Sequence, residues 1–450
     1  MGEMGINTLS IFNRSKGVLK QMLDISLQNF FKFETHNTEN NIDGIDVTIW
    51  CLTYNHVNFI EKALLGFINQ ETTFKYEVIV FDDASTDGTS DIVRRYAAEY
   101  PDIIKAYIAK KNTYNTANGR MMRTRLKNEI VNGRYIALCE GDDYWIYPKK
   151  LQRQYDILEE NDEISMCFHN AIRVSISEIV PQIFDMETGI VDDDEVFFCK
   201  NGRPPTASFF YRVEDARDAI NSKAYLECPV GDDSIRFHLN NNGRIYYLDK
   251  CWAVRNYMHA GSWNERFNND KDFVLDYRTR FYKYYELFNS ETVNKYKCQT
   301  EKMQMALCEQ AFYENKPVTV DECLKKAEEL TKLFGKSSRI IFNKMAVMQA
   351  KKCEDYYDYI RKEALGKKVY IYGAGVEAKN IALQLQDGDI LIKGFVVTDK
   401  QMNPSLLLGK SVNGIDDIDI NDSTLFVLGL NDHNKKQVFD ILVQHNARMI

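Results

Sequence analysis

Asn132-Gly133-Arg134-Tyr135-Ile136-Ala137-Leu138-Cys139-Glu140-Gly141-Asp142-Asp143-Tyr144-Trp145 is the stretch on which the reading of this chain turns. Its middle, Tyr135 to Cys139, is apolar and short, the pattern of a buried strand. The strand runs straight into the carboxylates of Glu140, Asp142 and Asp143. Carboxylates this close repel one another unless a cation or hydrogen-bond donors compensate. Hard oxygen ligands suit Mg²⁺ or Mn²⁺, which are often held by one or two carboxylates together with substrate phosphates. Gly141 permits a tight backbone between them. A solvated acidic loop is the weaker alternative, because the cluster directly follows an apolar strand.

Working outward, the same grammar repeats. Val47 to Leu52 reads as a strand, Asn58 to Gln70 has helical spacing, and Glu77 to Phe81 is a second strand ending in Asp82 and Asp83. Thr89 to Tyr100 reads as a helix, with Thr86 or Asp87 available to cap it. Ile103 to Ile108 reads as another strand. Strands alternating with helices imply an α/β fold with a mostly parallel, helix-covered sheet. Ligands of such sheets sit at the carboxyl ends of the strands, where both acidic clusters fall. By contrast, Asp192, Asp193, Asp194 and Glu195 follow no such strand and are expected to be solvated.

Residues 45–158 resemble the family 2 glycosyltransferases of GT-A fold. The resemblance rests on Thr53-Tyr54-Asn55, on Asp82-Asp83-Ala84-Ser85-Thr86-Asp87-Gly88-Thr89, and on the stretch quoted first, followed by Pro148 and Leu151. It extends more weakly to Trp263. The resemblance implies an inverting transfer of a sugar from a nucleotide-diphosphate donor, expected to be a UDP-sugar, to a hydroxyl of a glycan or lipid-linked acceptor, in bacterial surface polysaccharide synthesis. It implies that Thr53, Tyr54, Asn55, Asp82, Asp83, Glu140 and Asp142 line the donor, with Tyr54 and Asp83 at the nucleobase. It implies that Asp142, Asp143 and His259 hold Mn²⁺ or Mg²⁺. Cys228-Pro-Val-Gly-Asp232-Asp233 resembles the family's late acidic motif, so Asp232 is expected to be the general base and Asp233 the fallback. Gly202 to Ser208 resembles a stretch near the sugar and acceptor pocket. Glu140, where the commonest family pattern has Asp, keeps the carboxylate.

Four segments are expected: an N-terminal amphipathic helix and linker at 1–44, the GT-A domain at 45–263, a helical segment at 264–365, and a small Rossmann-like α/β domain at 366–450. The N-terminal helix rests on Val18, Leu19, Met22, Leu23, Ile25, Leu27, Phe30 and Phe31. The helical segment is interrupted near Lys316–Pro317 and at Gly335. In the last segment the strand Lys368–Tyr372 is followed by Gly373-Ala-Gly375-Val-Glu-Ala378, an opening in which glycines let a diphosphate approach a helix N-terminus. Asp399 stands at the spacing of a ribose-binding acid. Gly373, Gly375 and Asp399 are therefore candidate nucleotide contacts. The rival function centred on them is an NAD-dependent oxidoreductase or epimerase, which leaves the acidic motifs of the first half unexplained.

Composition narrows the classes further. The chain has 450 residues, 57 Lys and Arg against 65 Asp and Glu, and a formal net charge of −8. That balance argues against a chain-wide nucleic-acid footprint. No uninterrupted apolar run reaches the ~18–20 residues of a membrane-spanning helix. The ten cysteines contain no CxxC and read as reduced thiols in a cytoplasmic protein. Attachment at the inner membrane face and homo-oligomerisation stay open.

Overall fold

A computed structural model of the protein describes residues 27–39, 44–114, 116, 119–257, 259, 262–386, 390–430, 438, 441–442 and 448–449. Most of the expected N-terminal helix lies outside the described residues. Its end, 27–31, is helical, with Leu27 and Phe31 buried. The chain divides into two compact units, Met1–Tyr277 with Tyr284–Thr300, and Arg278–Lys283 with Glu301–Ile450. Of the expected helical segment 264–365, residues 264–277 and 284–300 fall in the first unit and 278–283 and 301–365 in the second.

The first unit is built on one sheet. Its strands are β1 (Glu34–His36), β2 (Ile45–Thr53), β3 (Lys75–Asp82), β4 (Ile104–Ile108), β5 (Tyr135–Leu138), β6 (Tyr144–Trp145), β7 (Ile164–Val174), β8 (Ile179–Pro181), β9 (Gly189–Ile190), β10 (Phe210–Arg212) and β11 (Arg244–Asn256). The order is β1-β4-β3-β2-β5-β10-β7-β11-β6, with β8 on β7 and β9 on β11. β4, β3, β2 and β5 are parallel. Helices Ile60–Ile68 and Thr89–Glu99 bury Ile60, Ala63, Leu64, Phe67, Val93 and Ala97 in the same core as Val47, Ile49, Val78 and Val80. This is the alternation expected from the sequence. β10 then enters antiparallel between β5 and β7, and β11 runs parallel to β7. β6, two residues long, pairs with β11 at Ala253 and Val254. That short pairing ties the loop after β5 to the end of β11.

Asp192 to Glu195 are not merely solvated. Asp192 caps the helix Asp193–Phe198 by accepting from the Glu195 N–H at 2.8 Å. Asp193 accepts from Asn240, and Asp194 from Gln299. Carboxylates crowd favourably at a helix N-terminus because its N–H groups are unpaired.

Lys150 is the costly residue of this core. It is fully buried, its Nζ has no hydrogen-bond partner, and it lies 3.7 Å from the centre of the Trp145 ring. Burial brings its ammonium down to about 7 from 10.5. Between those values the unfolded chain holds the proton and the folded chain does not, so this residue makes stability rise with pH. Lys150→Met should raise the melting temperature at pH 7 and remove the part of the rise between pH 7 and 10 that Lys150 contributes. Paired melting curves of the two proteins across that range check it.

The second unit contains the helices Val320–Phe334, Arg339–Ala350 and Tyr356–Ala364 and a second sheet. The helix Lys297–Tyr313 ends, and Val320–Phe334 begins, on either side of Pro317, and Gly335 follows the last residue of the latter. Both breaks were expected. The sheet comprises β12 (Lys368–Tyr372), β13 (Ile392–Val397), β14 (Leu406–Leu407), β15 (Lys410–Gly414), β16 (Thr424–Leu428) and β17 (Arg448–Met449), ordered β14-β15-β13-β12-β16-β17. All neighbours from β15 to β17 are parallel.

Candidate active site

The site begins at the carboxyl end of β2. Its last carbonyls are used by the neighbouring loops: the Trp50 oxygen accepts from Cys139 N–H, Leu52 from Gly141 N–H at 2.8 Å, and Thr53 from Asp83 N–H at 3.0 Å. A Cβ on Gly141 would lie 2.5 Å from Thr53 Oγ1. Only a glycine lets the acidic loop cross the strand end this closely. Gly141→Ala should lower stability by about 1–3 kcal/mol, as overpacking of a filled site does. It should also weaken Mn²⁺ binding, because Glu140 and Asp142 must shift. Melting curves and calorimetry with Mn²⁺ check both.

The first acidic motif splits into two roles. Asp82 is fully buried. One of its oxygens accepts from the N–H and hydroxyl of Ser85, and the other from the Ser90 hydroxyl. Asp82 thus anchors its own turn. Asn55 is also committed locally: its N–H donates to Ser85 Oγ and its Oδ1 accepts from Thr86 N–H. Asp87 accepts from the N–H and hydroxyl of Thr89 and from Val57 N–H, so it organises the helix start beside the cap position, Gly88. Asp83 differs. Its Oδ1 accepts from the N–H and hydroxyl of Thr113, while its buried Oδ2 has no hydrogen-bond partner. Arg123 stands 3.5 Å from that Oδ2. Burial pushes the Asp83 carboxyl upward. Tyr54 is exposed beside this strand end. Arg123 and Thr113 were not singled out from the sequence, because they lie beyond the motif, in and before the helix Gly119–Ile130.

The second motif brings ligand-type oxygens together. Atoms of Glu140, Asp142 and Asp143 lie within 4.8 Å of one another. Asp143 is buried, and its Oδ1 accepts from Asn256 N–H at 2.9 Å. Burial and the neighbouring Asp142 charge push its carboxyl well up. Glu140 is open to solvent yet recessed among protein atoms. Desolvation first, then the charges of Asp142 and Asp232, push it up to about 8. Asp142 behaves oppositely: burial acts upward, but His259 and His56 outweigh it and hold the carboxyl low. Its Oδ2 lies 3.0 Å from His259 Nε2, and its Oδ1 is buried without a hydrogen-bond partner. An unpaired buried carboxylate oxygen beside two further carboxylates and an imidazole is a donor set that fits Mn²⁺ or Mg²⁺.

The late motif starts the helix Gly231–Asn242. Asp233 is buried and ion-paired with Arg203 and Arg236, which commits its charge to the protein. Those two ion pairs leave Asp233, the expected fallback base, less able than Asp232 to accept a proton. Asp232 keeps more freedom: Oδ2 accepts from Thr206 Oγ1 at 2.8 Å, and Oδ1 from Asp233 N–H. Each oxygen retains a second lone pair. Its charge acts on Glu140 and Tyr114. Arg203 and Thr206, from the stretch 202–208, thus hold the two aspartates apart.

In the second unit Gly373 has φ +120° and packs against Gly429, where a Cβ would lie 2.5 Å from the Gly429 carbonyl. Gly375 has open space at its Cα. Asp399 Oδ1 accepts from Gln401 N–H, a turn contact.

Residues 48–214 match the family model described as glycosyl transferase family 2. An uncharacterized protein of Mycobacterium tuberculosis is 41% identical over 233 residues, covering 50% of this chain and 63% of its own. The chain therefore spans less than two thirds of that relative. An uncharacterized glycosyltransferase of Mycoplasma genitalium is 26% identical over 215 residues, covering 46% and 66%. Among solved structures, Staphylococcus aureus TarS 1–349 in complex with UDP-GlcNAc is similar at 14% identity and a TM-score of 0.47, covering 70% of this chain and 92% of that one. The residues that the family model matches lie within the mixed α/β first unit.

Proposed function

We propose, from the premise that residues 48–214 form a glycosyl transferase family 2 domain, that the protein is a metal-dependent inverting glycosyltransferase using a nucleotide-sugar donor. One observation carries the reading. Asp83, Asp142 and Asp232, far apart in sequence, keep carboxylate capacity, while Asp82 and Asp233, neighbours of the first and last, are committed to protein groups.

Each retained acid has a task. Asp83 Oδ2 accepts the imide N–H of a uracil-type base, Arg123 lies beside it, and Tyr54 offers its ring for stacking. Asp142, with Glu140, Asp143 and His259, holds Mn²⁺ or Mg²⁺. The ion supplies Lewis-acid stabilisation of the departing diphosphate. Asp232 takes the proton of the acceptor hydroxyl as its oxygen bonds to the anomeric carbon and the bond from that carbon to the diphosphate oxygen breaks. Attack opposite the leaving group inverts the anomeric centre. The acceptor is a glycan or lipid-linked hydroxyl. The rival oxidoreductase reading at Gly373–Gly375 has less support, since the Asp399 carboxylate already serves its own turn.

Asp232→Asn should keep donor binding and lose about 10²–10⁴-fold in transfer, the usual contribution of a general base. Calorimetry and transfer assays across UDP-, GDP- and dTDP-sugars check both halves, and normal turnover by the variant would sink the base assignment. Asp83→Ala should weaken nucleotide binding about tenfold or more, the loss expected for a hydrogen bond to a charged group. Titration with UDP measures it, and an unchanged affinity removes Asp83 from the base site.

A further inference from the structure

We propose that His56 is a second imidazole ligand of the cation site, so that the ion is held by His56, Asp142 and His259 together and the site prefers Mn²⁺-type ions to Mg²⁺. The inference rests on the transferase reading and sharpens its metal chemistry.

His56 follows Thr53-Tyr54-Asn55 on the loop after β2, and His259 follows β11, so they arrive at Asp142 from opposite sides of the sheet order. Both Nε2 atoms point at one oxygen: Asp142 Oδ2 is 3.0 Å from His259 and 4.0 Å from His56. The rings stand 6.1 Å apart at 88°. Ligand atoms about 2.1 Å from an ion are about 3 Å from each other when they subtend a right angle, so this spacing closes on one ion with small side-chain movement. All three side chains are about four-fifths buried, at 17%, 20% and 18% exposure for His56, Asp142 and His259.

The surroundings orient His56 for ligation. Its Nδ1 is 3.2 Å from Thr53 Oγ1, a contact that fixes the orientation of the ring. Thr53 is itself wedged against Gly141. The His56 backbone is pinned where its N–H donates to Thr89 Oγ1 at 2.8 Å and the next N–H donates to Asp87. Phe59, one helical turn on, lies 4.9 Å from the His259 ring and covers the pair from one side. Asp142 Oδ2, which both Nε2 atoms face, gives the ion its hard oxygen, and Oδ1 has no hydrogen-bond partner that would hold the carboxylate elsewhere. Two imidazoles and a carboxylate suit Mn²⁺ and its neighbours, whereas Mg²⁺ prefers all-oxygen surroundings.

The test loads the full chain with Mn²⁺ alone and counts ligand nitrogens by pulsed electron paramagnetic resonance, with ¹⁵N-histidine labelling to assign them. Two imidazole couplings are expected in the unmutated protein and one in His56→Ala or in His259→Ala. His56→Ala should weaken Mn²⁺ about tenfold or more, with a markedly smaller loss for Mg²⁺ by calorimetry. One coupling or none in the unmutated protein overturns the inference, and that measurement stands even if a variant fails to fold. If Asp142→Ala abolishes Mn²⁺ binding while His56→Ala changes neither nitrogen count nor affinity, the inference fails and the transferase reading survives. If Asp142→Ala leaves Mn²⁺ binding unchanged, the metal site itself is misplaced and both fail.

Discussion

The carbonyls at the end of β2 hold the site together. Trp50, Leu52 and Thr53 accept from Cys139, Gly141 and Asp83, so one strand end fixes both acidic loops. The approach is only possible because Gly141 has no side chain to meet Thr53. Backbone hydrogen bonds inside a core are obligatory, since an unpaired buried group costs about as much as a lost bond. The loops therefore cannot drift without breaking the sheet that carries them. This makes the acids a property of the fold rather than of flexible segments.

Carboxylates come in adjacent pairs here, and in each pair the labour divides. Asp82 braces a turn and Asp83 keeps an oxygen without a hydrogen bond, beside Arg123; Asp143 binds Asn256 and Asp142 keeps an oxygen without a hydrogen bond; Asp233 is ion-paired with two arginines and Asp232 keeps its lone pairs. The pairing has a physical logic. Burying a charge is costly unless it is hydrogen-bonded or ion-paired. The bracing member makes the backbone rigid, and its partner can then stay under-satisfied. Such an imbalance is what a ligand or cation can relieve, and perturbed acids of this kind cluster at functional sites.

Much of this was legible in the residues. Val47–Leu52, Glu77–Phe81 and Tyr135–Cys139 announce a parallel sheet by their apolar runs, the last two ending in acid, and each is a strand within a residue or two of those limits. Pro317 and Gly335 announce the helix breaks because neither continues a helix well. The strands β7, β10 and β11 were not legible. β11 mixes Tyr, Asp, Lys, Trp and Arg without strict alternation, because parts of both its faces are half exposed. Its pairing with β7 is a long-range choice that no local pattern encodes.

The order of motifs along the chain was enough to determine the α/β fold and the strand ends where the chemistry gathers, because hydrophobic period and turn residues are local signals. Which member of each acidic pair remains available was decided only by the tertiary structure. Asp232 and Asp233 are neighbours of the same type, and in the sequence only the family resemblance ranks Asp232 ahead of Asp233. Arg203 and Arg236 decide between them by claiming Asp233. In the same way His56 is one residue past a motif, ordinary until the fold sets it beside Asp142 and across from His259. Burial and partners, not residue type, assign these roles, and both are contacts between segments far apart in the chain.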